Sequence, residues 1–152
     1  MANETSFTVR LTQDRDYQFR VAFDSPNMAS LLVDEPAPLG KNEGPNAARL
    51  VAAAVANCLS ASLLFAVRKF KQDPGSLAAE AVTRIVRNEQ GRFRIAGIDV
   101  AIQLGTASDQ IEHLDRSLAQ FEDFCIVTQS IRQGIPVHVA VKDASGRIVH
   151  QD

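Results

Sequence analysis

The chain has 152 residues, 45% apolar and 22% charged, with a formal net charge of −2; this suits a single globular domain over residues 1–152 and argues against long disorder. No Lys/Arg block interleaves with aromatics, which speaks against a nucleic-acid surface. The opening MANETSFTVRL lacks a basic-then-apolar secretory run, so a cytoplasmic protein with free cysteines is expected rather than a structural disulfide.

Phe7, Val9 and Leu11 alternate with polar residues, and Tyr17, Phe19, Val21 and Phe23 repeat that period beyond QDRD. The pattern predicts a β-hairpin with one buried face. A third short strand is predicted over SLLV, residues 30–33, and DEPAPLGKNEGP after it must be a loop because its prolines remove donors and restrict their neighbours. Such loops often shape a site. Asn46 is a good cap for a helix from Ala47 to about Lys71, with Arg68, Lys69 and Lys71 suiting its C-terminal end and DPG stopping it. Apolar residues surround this helix, which predicts burial on nearly all sides. Arg49, Asn57, Ser60 and Ser62 inside the run weigh against a membrane span.

Residues 78–88 and 92–104 predict a second hairpin across NEQG, with a change of phase at Gly97 that suggests a bulge. A helix is predicted from about Asp109 to Glu122, capped by Ser108 or Asp109 and carrying Ile111, Leu114, Leu118 and Phe121 on one face. FCIVTQSIRQG then predicts a short helix ended by Gly134, and IPVHVAV a final strand. This order is α+β rather than alternating β and α.

Cys58 and Cys125 are 67 positions apart (125 − 58), with no CxxC spacing, and His113, His138 and His150 are scattered. No metal site is expected. Cys58 shares a helix face with Leu50, Val51, Ala54, Val55, Ala61, Ser62 and Phe65, a stripe without charge. It is either an inert small hydrophobe or a thiol that needs a donor or cation from elsewhere in the fold. Cys125 stands at the start of a helical segment, which favours a thiolate, while Glu122 and Asp123 oppose it. LGKNEG lacks the frame of a phosphate loop and no GxSxG elbow occurs, so a hydrolase has no support.

GPNAARLVAAAVANCLSASL resembles the central-helix signature of the OsmC and organic hydroperoxide resistance family, and FEDFCIVTQSI resembles its second cysteine motif. The order of elements through IPVHVAV is similar across nearly the whole chain. The resemblance implies an OsmC-like fold: two antiparallel sheet sections packed around a long central buried helix, in an intertwined homodimer with the active site at the subunit interface. It implies that Cys58 is the peroxidatic thiol and Cys125 the resolving one, without metal or bound cofactor. An organic hydroperoxide would be reduced, and an external dithiol would restore the pair. The chain departs from the family pattern where Ala48 and Arg49 stand in place of a glutamate. The family arginine has no single counterpart among Lys41, Arg10, Arg15, Arg20 and Arg49, and Glu43 is the candidate substitute carboxylate. That departure supports an alternative: a diverged dimer, without peroxidase activity, that binds small molecules or acts as a scaffold.

Overall fold

A computed structural model describes residues 3–152. The chain forms two compact units, one comprising the residues up to Asn57 with Ala78–Gln103, the other Cys58–Leu77 with Leu104–Asp152. The long helix α1 (Ala47–Lys69) runs from the first into the second.

Helix α1 begins where the sequence places its cap: the Asn46 Oδ1 accepts the Arg49 N–H at 3.2 Å. Replacing Asn46 by alanine is expected to cost about 1 kcal/mol, read as a lower urea midpoint at unchanged slope. The helix stops before Lys71, which takes φ 57°, and Arg68 and Lys69 occupy its last turn. Its buried face carries Ala52, Val55, Leu59, Leu63, Ala66 and Val67, whereas Val51 and Phe65 are exposed. The expected burial on nearly all sides is therefore not met within one chain. Alanine fills both faces of α1, so the sequence is apolar all round while only one face packs inward. By length and composition α1 could also cross a membrane, but that inward face is covered by the protein's own residues.

In the first unit, β1 (Arg10–Arg15), β2 (Gln18–Ala22) and β3 (Leu31–Val33) form an antiparallel sheet in that order. Gln13, Asp14 and Arg15, expected in the turn, extend β1 through a bulge, and the reversal comes at Asp16, φ 48°, and Tyr17. Of the predicted inward residues only Val21 is buried; Leu11, Tyr17, Phe19 and Phe23 are exposed. The second hairpin pairs β4 (Ala78–Arg87) with β5 (Phe93–Gln103), and its register shifts where Arg84 opposes Gly97 and Ile85 opposes Ile95. This is the predicted bulge. The Arg84 guanidinium, paired with Asp99, fills the space that a Cβ at Gly97 would need.

In the second unit the predicted helix 109–122 is broken. Helix α2 (Leu114–Gln120) is flanked by single 3-10 turns at Ser108–Gln110 and Phe121–Phe124, and His113 takes φ 59° just before it. The buried Ser117 hydroxyl donates to the Ala66 carbonyl at 3.3 Å, tying α2 to the end of α1. Helix α3 (Ile126–Gln133) ends at Gly134, φ 77°, as expected. The predicted strand 135–141 is ordered as strand only at its end, in β6 (Ala140–Lys142), which pairs with β7 (Ile148–Gln151), an element the sequence reading missed.

Candidate functional site

Both cysteines belong to the second unit. Helix α1 presents Cys58 half-buried, and the start of α3 presents Cys125 with no exposed surface. Both thiols are free, and they face each other within hydrogen-bonding range. Ser62, one helical turn beyond Cys58 on the same face, directs its hydroxyl to both sulfurs. The Val127 backbone N–H donates to Cys58.

Cys125 itself caps α3. Its Sγ accepts the Thr128 backbone N–H at 3.4 Å, and the Thr128 hydroxyl lies 3.0 Å away, placed to accept from a thiol or donate to a thiolate. Burial pushes both thiols toward the neutral form. For Cys58 it prevails, reinforced by the adjacent Cys125 and only partly opposed by Val127 and Ser62, so the Cys58 pKa is raised. For Cys125 burial is outweighed by hydrogen bonds from Cys58, from the hydroxyl and N–H of Thr128, and from Ser62, so its pKa is lowered. Beside the pair, the Phe65 and Phe124 rings meet edge-on with centroids 5.1 Å apart, and Lys69 Nζ stands 5.1 Å over the Phe124 ring. Phe65, Phe124 and Ile126 leave apolar surface exposed next to Cys125.

The charged candidates from the sequence lie in the first unit, where Arg15, Arg20 and Glu43 have their own partners. Arg15 pairs with Glu43 at 3.4 Å and donates from Nε to Gln18 Oε1 at 3.0 Å. Gln18 Nε2 in turn donates to Glu43 at 2.5 Å and to Asp34 at 3.3 Å. Asp34 is buried and accepts the backbone N–H groups of Glu35, Lys41 and Glu43 at 2.8, 3.1 and 3.1 Å, which folds the loop after β3 around one carboxylate. Arg20 pairs with Asp14 at 3.6 Å. Arg10 is exposed on β1, and Lys41 enters the network only through its backbone. Arg49 and Ala48 line a groove of about 640 Å³ against β4, with the buried Thr83 hydroxyl also on its wall. Among the described residues no group of three or more His, Cys, Asp or Glu is gathered as a metal would need.

Burial pushes the Asp34 carboxyl up, but the N–H groups of Glu43, Lys41 and Glu35 and the Gln18 amide together hold it below its ordinary value. A depressed carboxylate stabilises the fold at pH above its unfolded pKa, and the contribution is lost as pH falls through the folded value. Stability is therefore expected to drop on acidification below the usual carboxylate range. Asp34→Asn should flatten that acid limb, as read by denaturant midpoints against pH.

The sequence alone does not single out Thr128, Gln18 or Asp34. Thr128 had a local signal, since the third residue after a cap is where a cap's hydrogen bonds fall. Gln18 and Asp34 had none, being joined across 16 positions.

Residues 40–140, most of the chain and both cysteine contexts, match the family described as OsmC-like protein. No curated protein sequence matches. Among solved structures, an OsmC-like protein of unknown function from Vibrio cholerae is similar at a TM-score of 0.69 and 16% identity, covering 84% of this chain and 94% of its own. An organic hydroperoxide resistance protein OsmC from Legionella pneumophila is similar at 0.65 and 14%, covering 86% and 92%. The organic hydroperoxide resistance protein OhrB of Bacillus subtilis is similar at 0.62 and 18%, covering 88% and 95%. At such identities these likenesses speak to the fold: mixed α and β, antiparallel sheets and one long helix. With the family match spanning well over half of its length, this chain belongs to the OsmC-like family.

Proposed function

We infer that the protein is a thiol-dependent reductase of organic hydroperoxides, in which Cys58 attacks the peroxide and Cys125 resolves the product. The observation that carries this reading is the pairing itself: two free thiols from distant parts of the chain face each other among hydroxyl and amide donors. Chance packing of two cysteines does not call for a capped helix start, a shared serine and a second hydroxyl at the same spot. Attack by the Cys58 sulfur on the O–O bond releases an alcohol and leaves a sulfenic acid, which Cys125 converts to a disulfide. An external dithiol then reduces it. The exposed rings of Phe65 and Phe124 and the Ile126 side chain suit an organic tail over hydrogen peroxide, since each buried methylene contributes about 0.8 kcal/mol.

The working form in this reading is a homodimer. Val82, Ile85, Val86, Phe93 and Ile95 on the β4–β5 hairpin are exposed, as is the outer face of α1. A lone small chain rarely leaves so much apolar surface bare.

A second reading has its own support. The donors around the sulfurs are uncharged, Cys58 is held above its ordinary pKa, and Ala48 and Arg49 stand where the family pattern carries a glutamate. A slow or inactive thiol in a binding or scaffold dimer has these properties too. Stopped-flow oxidation with cumene hydroperoxide separates the two. Loss of both thiols at micromolar peroxide is expected of the reductase, whereas thiols that persist over minutes belong to the binding protein.

A further inference from the structure

Cys58, Ser62, Phe65 and Lys69 follow one another along α1 at the three-and-four spacing of helical neighbours, which puts them on one narrow stripe. The two ends of the stripe are chemically unlike. At one end Cys58 faces Cys125, with Ser62 serving both sulfurs. At the other, the Lys69 side chain leans back toward the helix start, as long side chains on helices do, and Nζ comes to 5.1 Å over the Phe124 ring. The surface between them is apolar: Phe65 and Phe124 meet edge-on and both are exposed, as is Ile126 just past Cys125.

The fold leaves the Lys69 charge largely unused. A lysine in the last turn of a helix commonly serves carbonyls left without donors, but here those carbonyls have donors of their own. The Ser117 hydroxyl donates to the Ala66 carbonyl at 3.3 Å, the Phe70 N–H to Val67 at 3.1 Å and the Lys71 N–H to Arg68 at 2.9 Å. Lys69 joins none of the ion pairs among the described residues. Glu122 is taken by Arg132 at 2.9 Å, Asp123 is exposed and pairs with neither Lys69 nor Arg68, and Arg68 adds a second positive charge to the same turn. The ring face alone is a weak partner for an exposed ammonium.

We propose that Lys69 is a specificity-determining residue that binds a carboxylate at the far end of the substrate. The favoured hydroperoxide is then an amphipathic acid, with its peroxide at Cys58, its hydrocarbon along Phe65 and Phe124, and its carboxylate on the ammonium. Only the peroxide end of this placement rests on the reductase reading. Lys69 lies 11 positions beyond Cys58 (69 − 58), which separates their Cα atoms by about 16 Å of helix, and the backward lean of the lysine shortens the distance its ammonium must be reached across. Such a span fits a fatty-acid chain. A small neutral peroxide would touch the cysteine end alone.

Two measurements on the reduced protein test this. In the first, without peroxide, dodecanoic acid and dodecanol are titrated by calorimetry. Lys69→Gln is expected to weaken binding of the acid about fivefold, the upper range for one exposed ion pair, and not that of the alcohol. Lys69→Arg should bind the acid as wild type does, and added salt should erode the difference. In the second, kcat/KM for linoleic acid hydroperoxide relative to its methyl ester should fall by the same factor in Lys69→Gln, through KM rather than kcat. An acid that binds Lys69→Gln and wild type equally, or an alcohol weakened as much as the acid, would overturn the proposal. Thiols that ignore both hydroperoxides while Lys69-dependent binding of the acid persists would refute the reductase reading and uphold the carboxylate site.

Discussion

Cys58→Ser is expected to lower the rate of organic hydroperoxide reduction on the order of a thousandfold or more, leaving only background chemistry. A serine hydroxyl is nearly isosteric, so the fold and the hydrogen bonds to Ser62 and Val127 should persist. What is lost is the soft nucleophile that the O–O bond requires. Cys125→Ser should behave differently. A first attack still takes place, more slowly than in wild type, but the sulfenic acid on Cys58 has no partner, and excess peroxide drives it to sulfinic acid. The contrast between the variants is the informative part: one fails to start, the other starts once and stalls. Consumption of cumene hydroperoxide over many turnovers, beside the mass of the modified Cys58 peptide, distinguishes them. Equal activity in Cys58→Ser and wild type would remove the sulfur from the mechanism.

The largest effect on stability is expected in the half of α1 that carries the site. Leu63 is 3% exposed, and it shares the inward face of α1 with Leu59, Ala66 and Val67. Leu63→Ala should cost about 2–5 kcal/mol through lost burial and the cavity left behind. Calorimetry should then show a fall in Tm of roughly 5–15 °C. Phe65, two positions on and 53% exposed, supplies the internal comparison. If the outer face of α1 stays bare, its truncation costs little beyond the lost edge-on contact with Phe124, about 0.5–1.5 kcal/mol. A large cost at Phe65, dependent on protein concentration, means that a second copy covers that face.

How legible this was in advance varied with the range of the interactions. Helix α1, its Asn46 cap and its basic end are written in local composition, as are the β4–β5 hairpin and its bulge at Gly97. The end of α3 at Gly134 follows from one residue's tolerance of positive φ. The alternation at Leu11 and Val21 marks the first hairpin, but its polar QDR run reads as a turn when it is in fact an exposed strand. Helix α2 was overextended because the pattern of Ile111, Leu114, Leu118 and Phe121 persists through 3-10 turns that share nearly the same spacing. Strand β7 was missed since IVHQ near the chain's end has too few residues to show a period.

For the site, the resemblance pointed to both cysteines, and the structure shows them facing each other. Their surroundings could not be read in the same way. Thr128 and Ser62 become donors only once α3 and α1 are side by side. Among the charged candidates, sequence left open whether Glu43 had a partner. The structure joins it to Arg15 and Gln18, around an Asp34 whose carboxylate had looked like one more loop acid.

The reading depends above all on the two sulfurs being chemically joined by substrate. Reduced protein treated with one equivalent of an organic hydroperoxide, quenched with alkylating reagent and mapped by peptide mass, tests that directly. The expected product is a disulfide between Cys58 and Cys125 of the same chain, with one alcohol released per bond formed. Recovery of both cysteines as alkylated thiols, with the hydroperoxide unconsumed, would contradict it.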